Sequence, residues 1–120
     1  MSGRGARAVV EAFNEAFNRH DVDAIMALMT DDCVFENTRP APDGTRVAGQ
    51  DAVRSFWTQF FARSPHARFD TEEIFESGDR CVVRWTYQWV RDGTPGHVRG
   101  VDLFRVRDGK VAEKLSYVKG

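Results

Sequence analysis

The sequence predicts an α+β domain, with helices in the first half of the chain and an antiparallel meander in the second. Two observations predict it. Apolar residues fall at helical spacing up to about residue 61, and Phe69 onward alternates with period two. Turn signals (Ser77-Gly78-Asp79, Asp92-Gly93-Thr94-Pro95-Gly96 and Asp108-Gly109) then cut the alternating half into strands. Helices grouped early and strands grouped late are the pattern of an α+β architecture.

The elements follow in order. Val9, Val10, Phe13, Ala16 and Phe17 give a helix over 7–19. Asp21 is placed to cap a second helix that buries Ile25, Leu28 and Met29. Residues 33–37 form a short strand, followed by a polar loop broken by Pro40, Pro42, Asp43-Gly44 and Gly49. Val53, Phe56, Trp57, Phe60 and Phe61 stand at i, i+3, i+4, i+7 and i+8, which makes the clearest helix in the chain, and Ser64-Pro65 ends it. Strands are expected over 69–76, 80–91, 97–107 and 110–118, so the order is ααβαββββ.

At 120 residues the chain is one domain, expected over 7–120, with residues 1–6 frayed. Seventeen Lys+Arg against eighteen Asp+Glu leave a net charge of −1. That balance argues against nucleic-acid binding, which needs a basic field, and against attraction to an anionic membrane. No apolar run reaches membrane-spanning length, and Met1–Arg7 lacks the apolar segment of a secretory signal. Cys33 and Cys81 fit no metal-ligand spacing and read as buried small hydrophobes in a reducing cytoplasm. No two of His20, His66 and His97 stand at ligand spacing, so neither a metal nor another cofactor is expected.

Alternation sorts the strand faces. Cys81, Val83, Trp85, Tyr87 and Trp89 share one face of their strand, and Val98, Gly100, Asp102, Phe104 and Val106 share one face of the next. Both faces are apolar except at Asp102. An ionised carboxylate there must be paired with a cation, kept protonated, or open to a filled cavity. No Arg or Lys neighbours it on that face in sequence, since the arginines at 99, 105 and 107 point the other way. Asp102 is therefore a candidate acid/base residue in an apolar pocket, or else a structural anchor bonded to a backbone amide or a Trp N–H. The Trp85/Tyr87/Trp89 row is likewise either core or a ligand platform. Glu73 suits an inward or an outward register, or a bulge.

The segment Gly100–Val111, the stretch His20–Ile25 with Asp31–Phe35, and Gly49–Trp57 together resemble the NTF2-like superfamily and, within it, the SnoaL-like group. The resemblance spans residues 8–118 and extends to polyketide cyclases and ketosteroid isomerase. It implies a cone-shaped, cystatin-like barrel in which three helices close a strongly bent antiparallel sheet over a small-molecule pocket. On that resemblance Phe13, Phe17, Asn37, Trp57 and Trp85 line the pocket with Tyr87, Trp89, Phe104 and Ser116, and Asp102 is its acid/base. The convex face, with Val101, Leu103, Leu115, Tyr117 and several arginines, implies a homodimer.

Carried over residue by residue, the isomerase pattern is incomplete. Its general base falls on Asn37, its phenol on Phe13, and its supporting tyrosines on Met29 and Trp57. Only its carboxylic acid is kept, at Asp102; a carboxylic acid held neutral to donate a hydrogen bond is the standard illustration of pKa tuning in that enzyme. The cyclase pattern asks for a single Asp in this strand, so Asp102 suffices. An Asp–Arg–Asp epoxide-hydrolase set is disfavoured, because Arg99 and Asp102 alternate to opposite faces. The resemblance thus implies a SnoaL-like binder of a small apolar, aromatic or polycyclic molecule, with an isomerase or cyclase step at Asp102. The rival is a non-catalytic ligand-binding or dimerisation module.

Overall fold

The computed structural model describes residues 5–119. Among them the helices are α1 (Ala6–Asn18), α2 (Val22–Ala27) and α3 (Gln50–Arg63). The strands are β1 (Met29–Glu36), β2 (Arg46–Ala48), β3 (Arg68–Ser77), β4 (Arg80–Arg91), β5 (Thr94–Arg107) and β6 (Lys110–Val118). The strands form one sheet in the order β2-β1-β6-β5-β4-β3.

α1 and α3 sit where the apolar spacing puts them, whereas α2 ends at Ala27 and Met29, expected on its buried face, opens β1 four residues before the expected start of that strand. α1 buries Ala6, Val9, Val10, Phe13, Ala16 and Phe17. Ala6, expected in the frayed segment, is packed into the core, and residues 1–4 of that segment lie outside the described residues. The Asp21 carboxylate accepts the Ala24 amide proton at 3.0 Å and caps α2. α3 buries Val53, Trp57 and Phe61, and it ends at Ser64.

The sheet departs from the sequence expectation in three ways. It is mixed rather than wholly antiparallel, because β1 pairs with β6 in parallel. The two strands are far apart in sequence, and alternation within each carries no information on their relative direction. β2 lies in what reads as a loop: three residues with one half-buried side chain are too short to show alternation. The turn expected over residues 92–96 contracts to Asp92-Gly93, both at positive φ (51° and 77°), and β5 begins at Thr94. Positive φ at both central residues is the twist-matched hairpin geometry that an Asp-Gly pair supplies. Pro95 is tolerated inside β5 because β6 stops opposite Gly100, leaving this end of the strand with β4 alone.

The inner face of the sheet is the one alternation selects. Cys81, Val83, Trp85, Asp102, Phe104 and Val106 are buried there, under α1, while α3 packs on β1 and β2. Bulges interrupt β3 at Glu72, between Thr71 and Glu73, and β6 at Ala112, opposite the Arg105–Val106 step of β5. Each adds local bend and twist. The first of these resolves Glu73, which lies exposed on the outer face with its carboxylate 3.3 Å from Arg84.

Candidate functional site

Asp102 is 3% exposed, on the inner face of β5 between Gly100 and Phe104. Its cross-strand partners are Val83 on β4 and Ser116 on β6. Ser116 Oγ donates to Asp102 Oδ1 at 2.7 Å. Lys114, two residues earlier on the same face of β6 and 4% exposed, puts Nζ 3.3 Å from Asp102 Oδ2. The same ammonium donates to Ser116 Oγ at 3.0 Å. Three side chains from adjacent strands therefore close a small polar ring.

Of the three options open to Asp102 in sequence, the structure realises the paired one. The expectation that no cation neighbours it is corrected: the cation lies on the adjacent strand. Lys114 shares parity with Ser116 on β6, and that parity is the signal that finds it. The rest of its surroundings are aromatic. Nζ lies 4.7 Å from the Phe35 ring centre, 5.6 Å from Trp57, 5.9 Å from Phe104 and 6.0 Å from Phe69. Rings at such range attract a cation, more strongly once water is excluded.

The expected aromatic lining divides into two zones. Phe13, Phe17, Trp57, Trp85 and Phe104 are fully buried. Phe13 meets Phe104 edge-on at 5.6 Å, Phe17 meets Trp57 at 5.2 Å, and Phe69 meets Trp85 at 4.8 Å. Tyr87 and Trp89 lie half-buried farther along β4, 5.8 Å apart, with Phe60 6.1 Å from Tyr87. Burial pushes the Tyr87 phenol up, and a hydrogen bond to Ser64 partly offsets this. Gly100 and Gly96 face Trp85 and Trp89 across the β4–β5 ladder, and each leaves room for the ring opposite.

Asn37 has a different local task. Its Oδ1 accepts the amide protons of Thr45 (2.7 Å) and Arg39 (3.3 Å), which ties the β1–β2 connection closed. His66 is exposed and lines a groove of about 550 Å³ with Trp89, Arg68 and His97. A second groove of about 410 Å³ runs between α1 and β3. Both lie away from Asp102. His20 Nε2 donates to the Ala67 carbonyl at 2.8 Å while its ring stacks on Phe61, so it pins the end of α1 to the chain before β3. Arg99 is on the outer face, bonded to Glu72 at 2.7 Å. No group of three or more His, Cys, Asp or Glu is placed to hold a metal among the described residues.

The family model for the SnoaL-like domain matches residues 10–114. The chain belongs to the SnoaL-like family. A solved NTF2-like protein of unknown function from Mesorhizobium loti is 44% identical, covering 94% of this chain and 89% of its own, with a TM-score of 0.81. A candidate polyketide cyclase from Xanthomonas campestris is 26% identical over 95% of this chain and 90% of its own, at a TM-score of 0.76. TerC, co-crystallised with polyporic acid, shares the fold at 21% identity, 93% and 89% coverage and a TM-score of 0.79. No curated protein matches this SnoaL-like chain.

Proposed function

We propose that this SnoaL-like protein binds a small aromatic or polycyclic carbonyl compound inside its cone and moves a proton on it through Asp102. The supporting observation is the Asp102–Lys114 pair, 3.3 Å apart and buried among aromatic rings. A carboxylate so placed is held where proton transfer is its natural chemistry, and the rings favour a flat apolar substrate. In the step proposed, Asp102 takes the proton α to the carbonyl. The C–H pair moves to the carbonyl oxygen as an enolate, and the proton returns from Asp102 to a different atom of the same molecule. Isomerisation, cyclisation and dehydration share that step. Access runs past the half-buried rings of Phe60, Tyr87 and Trp89, which part to admit the ligand. The candidate cyclase and the polyporic acid complex among the structural relatives support this substrate class.

A second reading has its own observation: both Asp102 oxygens already have partners. On that reading the protein binds a ligand without turning it over, and Asp102 is an anchor. Asp102→Asn separates the two. The test substrate is 2-tetralone, a bicyclic aromatic ketone, followed by the rate at which its α-protons exchange in D2O. The proposal predicts that the variant loses roughly 10²-fold or more of the catalysed rate and still binds 2-tetralone. Unchanged exchange, with only the melting temperature shifted, establishes the anchor instead.

We also propose a homodimer through the outer sheet face. Val101 pairs with Tyr117 and Leu103 with Leu115 across the β5–β6 ladder, making an apolar quartet in which Tyr117 is 53% exposed. A reducing, cytoplasmic setting suits Cys33 and Cys81, which are buried free thiols; burial pushes the Cys81 thiol up to about 11.

A further inference from the structure

We infer that the ligand of this cone presents a hydrogen-bond-acceptor oxygen, and that the Trp57 and Trp85 indole N–H groups recognise it. The inference rests on the reading that the interior takes a small molecule, and it names the chemistry that molecule must carry. Trp57 Nε1 and Trp85 Nε1 are buried and find no acceptor among the described residues. The two residues are 2% and 4% exposed. A buried donor left without an acceptor is costly, and native structures keep few of them.

The two indoles come from opposite layers. Trp57 comes from α3, and its ring centre is 5.6 Å from Lys114 Nζ. Trp85 comes from β4 and packs on Phe69, whose ring centre is 6.0 Å from the same ammonium. Phe17 joins the two sets, 5.2 Å from Trp57 and 5.1 Å from Phe69.

The hydrogen-bond inventory of this interior is one-sided. An indole and an ammonium donate only. Lys114 donates to Ser116 and is ion-paired with Asp102 at 3.3 Å, and its ammonium faces the Phe35 ring. The acceptors are committed: Asp102 Oδ1 to Ser116 and Oδ2 to Lys114. The two indole donors therefore reach neither carboxylate oxygen and have no acceptor of their own. A ketone or quinone oxygen supplies one. An amine or amidinium brings donors that neither indole can use, and a second positive charge beside the Lys114 ammonium. A carbonyl oxygen gains negative charge as its α-proton leaves, so the same donors hold it more tightly in the enolate.

Three probes of nearly one shape test this. Acetophenone carries an acceptor oxygen, α-methylstyrene replaces that oxygen with a methylene group, and benzamidinium carries donors only. Affinities are measured on the wild-type protein, and the assigned indole N–H signals are followed in 1H–15N spectra. Acetophenone is expected to bind at least about tenfold tighter than α-methylstyrene, the worth of one good hydrogen bond, with benzamidinium weakest. Acetophenone alone should move the Trp57 and Trp85 indole protons downfield. Trp57→Phe and Trp85→Phe should each narrow the preference for acetophenone over α-methylstyrene.

Equal binding of acetophenone and α-methylstyrene, or a preference for benzamidinium, overturns the inference while leaving the interior a binding site. Indole signals that stay fixed with acetophenone bound overturn it as well. Failure of every probe to bind overturns the reading of the interior and this inference with it.

Discussion

Lys114 and Asp102 are each buried, and each depends on the other. Removing one partner of such a pair strands a charge, at a typical cost of about 3–5 kcal/mol, whereas replacing both by apolar residues is often nearly neutral. Lys114→Met alone should therefore destabilise the protein by about that amount in urea unfolding, and Asp102→Leu/Lys114→Met should recover most of the loss. Comparable unfolding of the single and double variants would show that the two do not act as a pair. The same residues mark the limit of the sequence reading at this scale. Asp102 stands out because its own strand is otherwise apolar on that face. Lys114 does not, because the extra residue at Ala112 shifts the register: counted straight back from the Asp108-Gly109 turn, Leu115 rather than Ser116 would oppose Asp102. The orphan indole protons were equally out of reach, since they are defined by what surrounds them.

Among the elements, the β4–β5–β6 meander fixes the site, and its Gly100 is the tightest point. A Cβ added there would sit 2.3 Å from the Tyr117 carbonyl oxygen and 2.5 Å from the Trp85 ring. The carbonyl belongs to β6 and cannot move without disturbing the pairing that places Lys114 and Ser116. Gly100→Ala should cost about 1–3 kcal/mol, as overpacking does, with the loss read by urea unfolding; wild-type stability in this variant would mean that the strands are not so closely held. The long strands were legible at this scale because Gly-containing turns separate Arg80–Arg91, Thr94–Arg107 and Lys110–Val118, and the first alternates along its inner half. β2 and the parallel β1–β6 pairing were not, because three residues carry no period and strand direction is decided by contacts distant in sequence. The partition of aromatic residues into buried and half-buried was equally hidden. Trp85 and Tyr87 look alike in sequence, and only the helix packed above each one separates them.

For the molecule as a whole, the outer face carries its own electrostatics. Arg99, Thr86 and Arg84 bond the Glu72 carboxylate and hold it down at about 2, from an ordinary value of 4.5. A carboxyl lowered on folding stabilises the protein above about 4.5, and that contribution fades as pH falls from there toward 2. The melting temperature of Glu72→Gln should therefore lie below that of the wild type at pH 6, and the gap should close as the pH falls through that window. A constant gap would show that the ionised carboxylate contributes nothing.

The apolar quartet beside this cluster predicts association of two copies. Tyr117→Asp should shift the sedimentation of the protein from dimer to monomer; a wild type that sediments as a monomer rejects the interface outright. Fold class, helix positions and the inward direction of Asp102 were thus available in residue order. The partner of Asp102 and the closure of aromatic rings around it belong to the assembled molecule.

The most direct measurement is the rate at which the wild-type protein exchanges the α-protons of 2-tetralone for deuterium near neutral pH, against buffer alone. Saturable acceleration over buffer is what a buried proton-transfer centre predicts. Exchange at the buffer rate while 2-tetralone is demonstrably bound would contradict it, and would leave the Asp102–Lys114 pair as part of the scaffold.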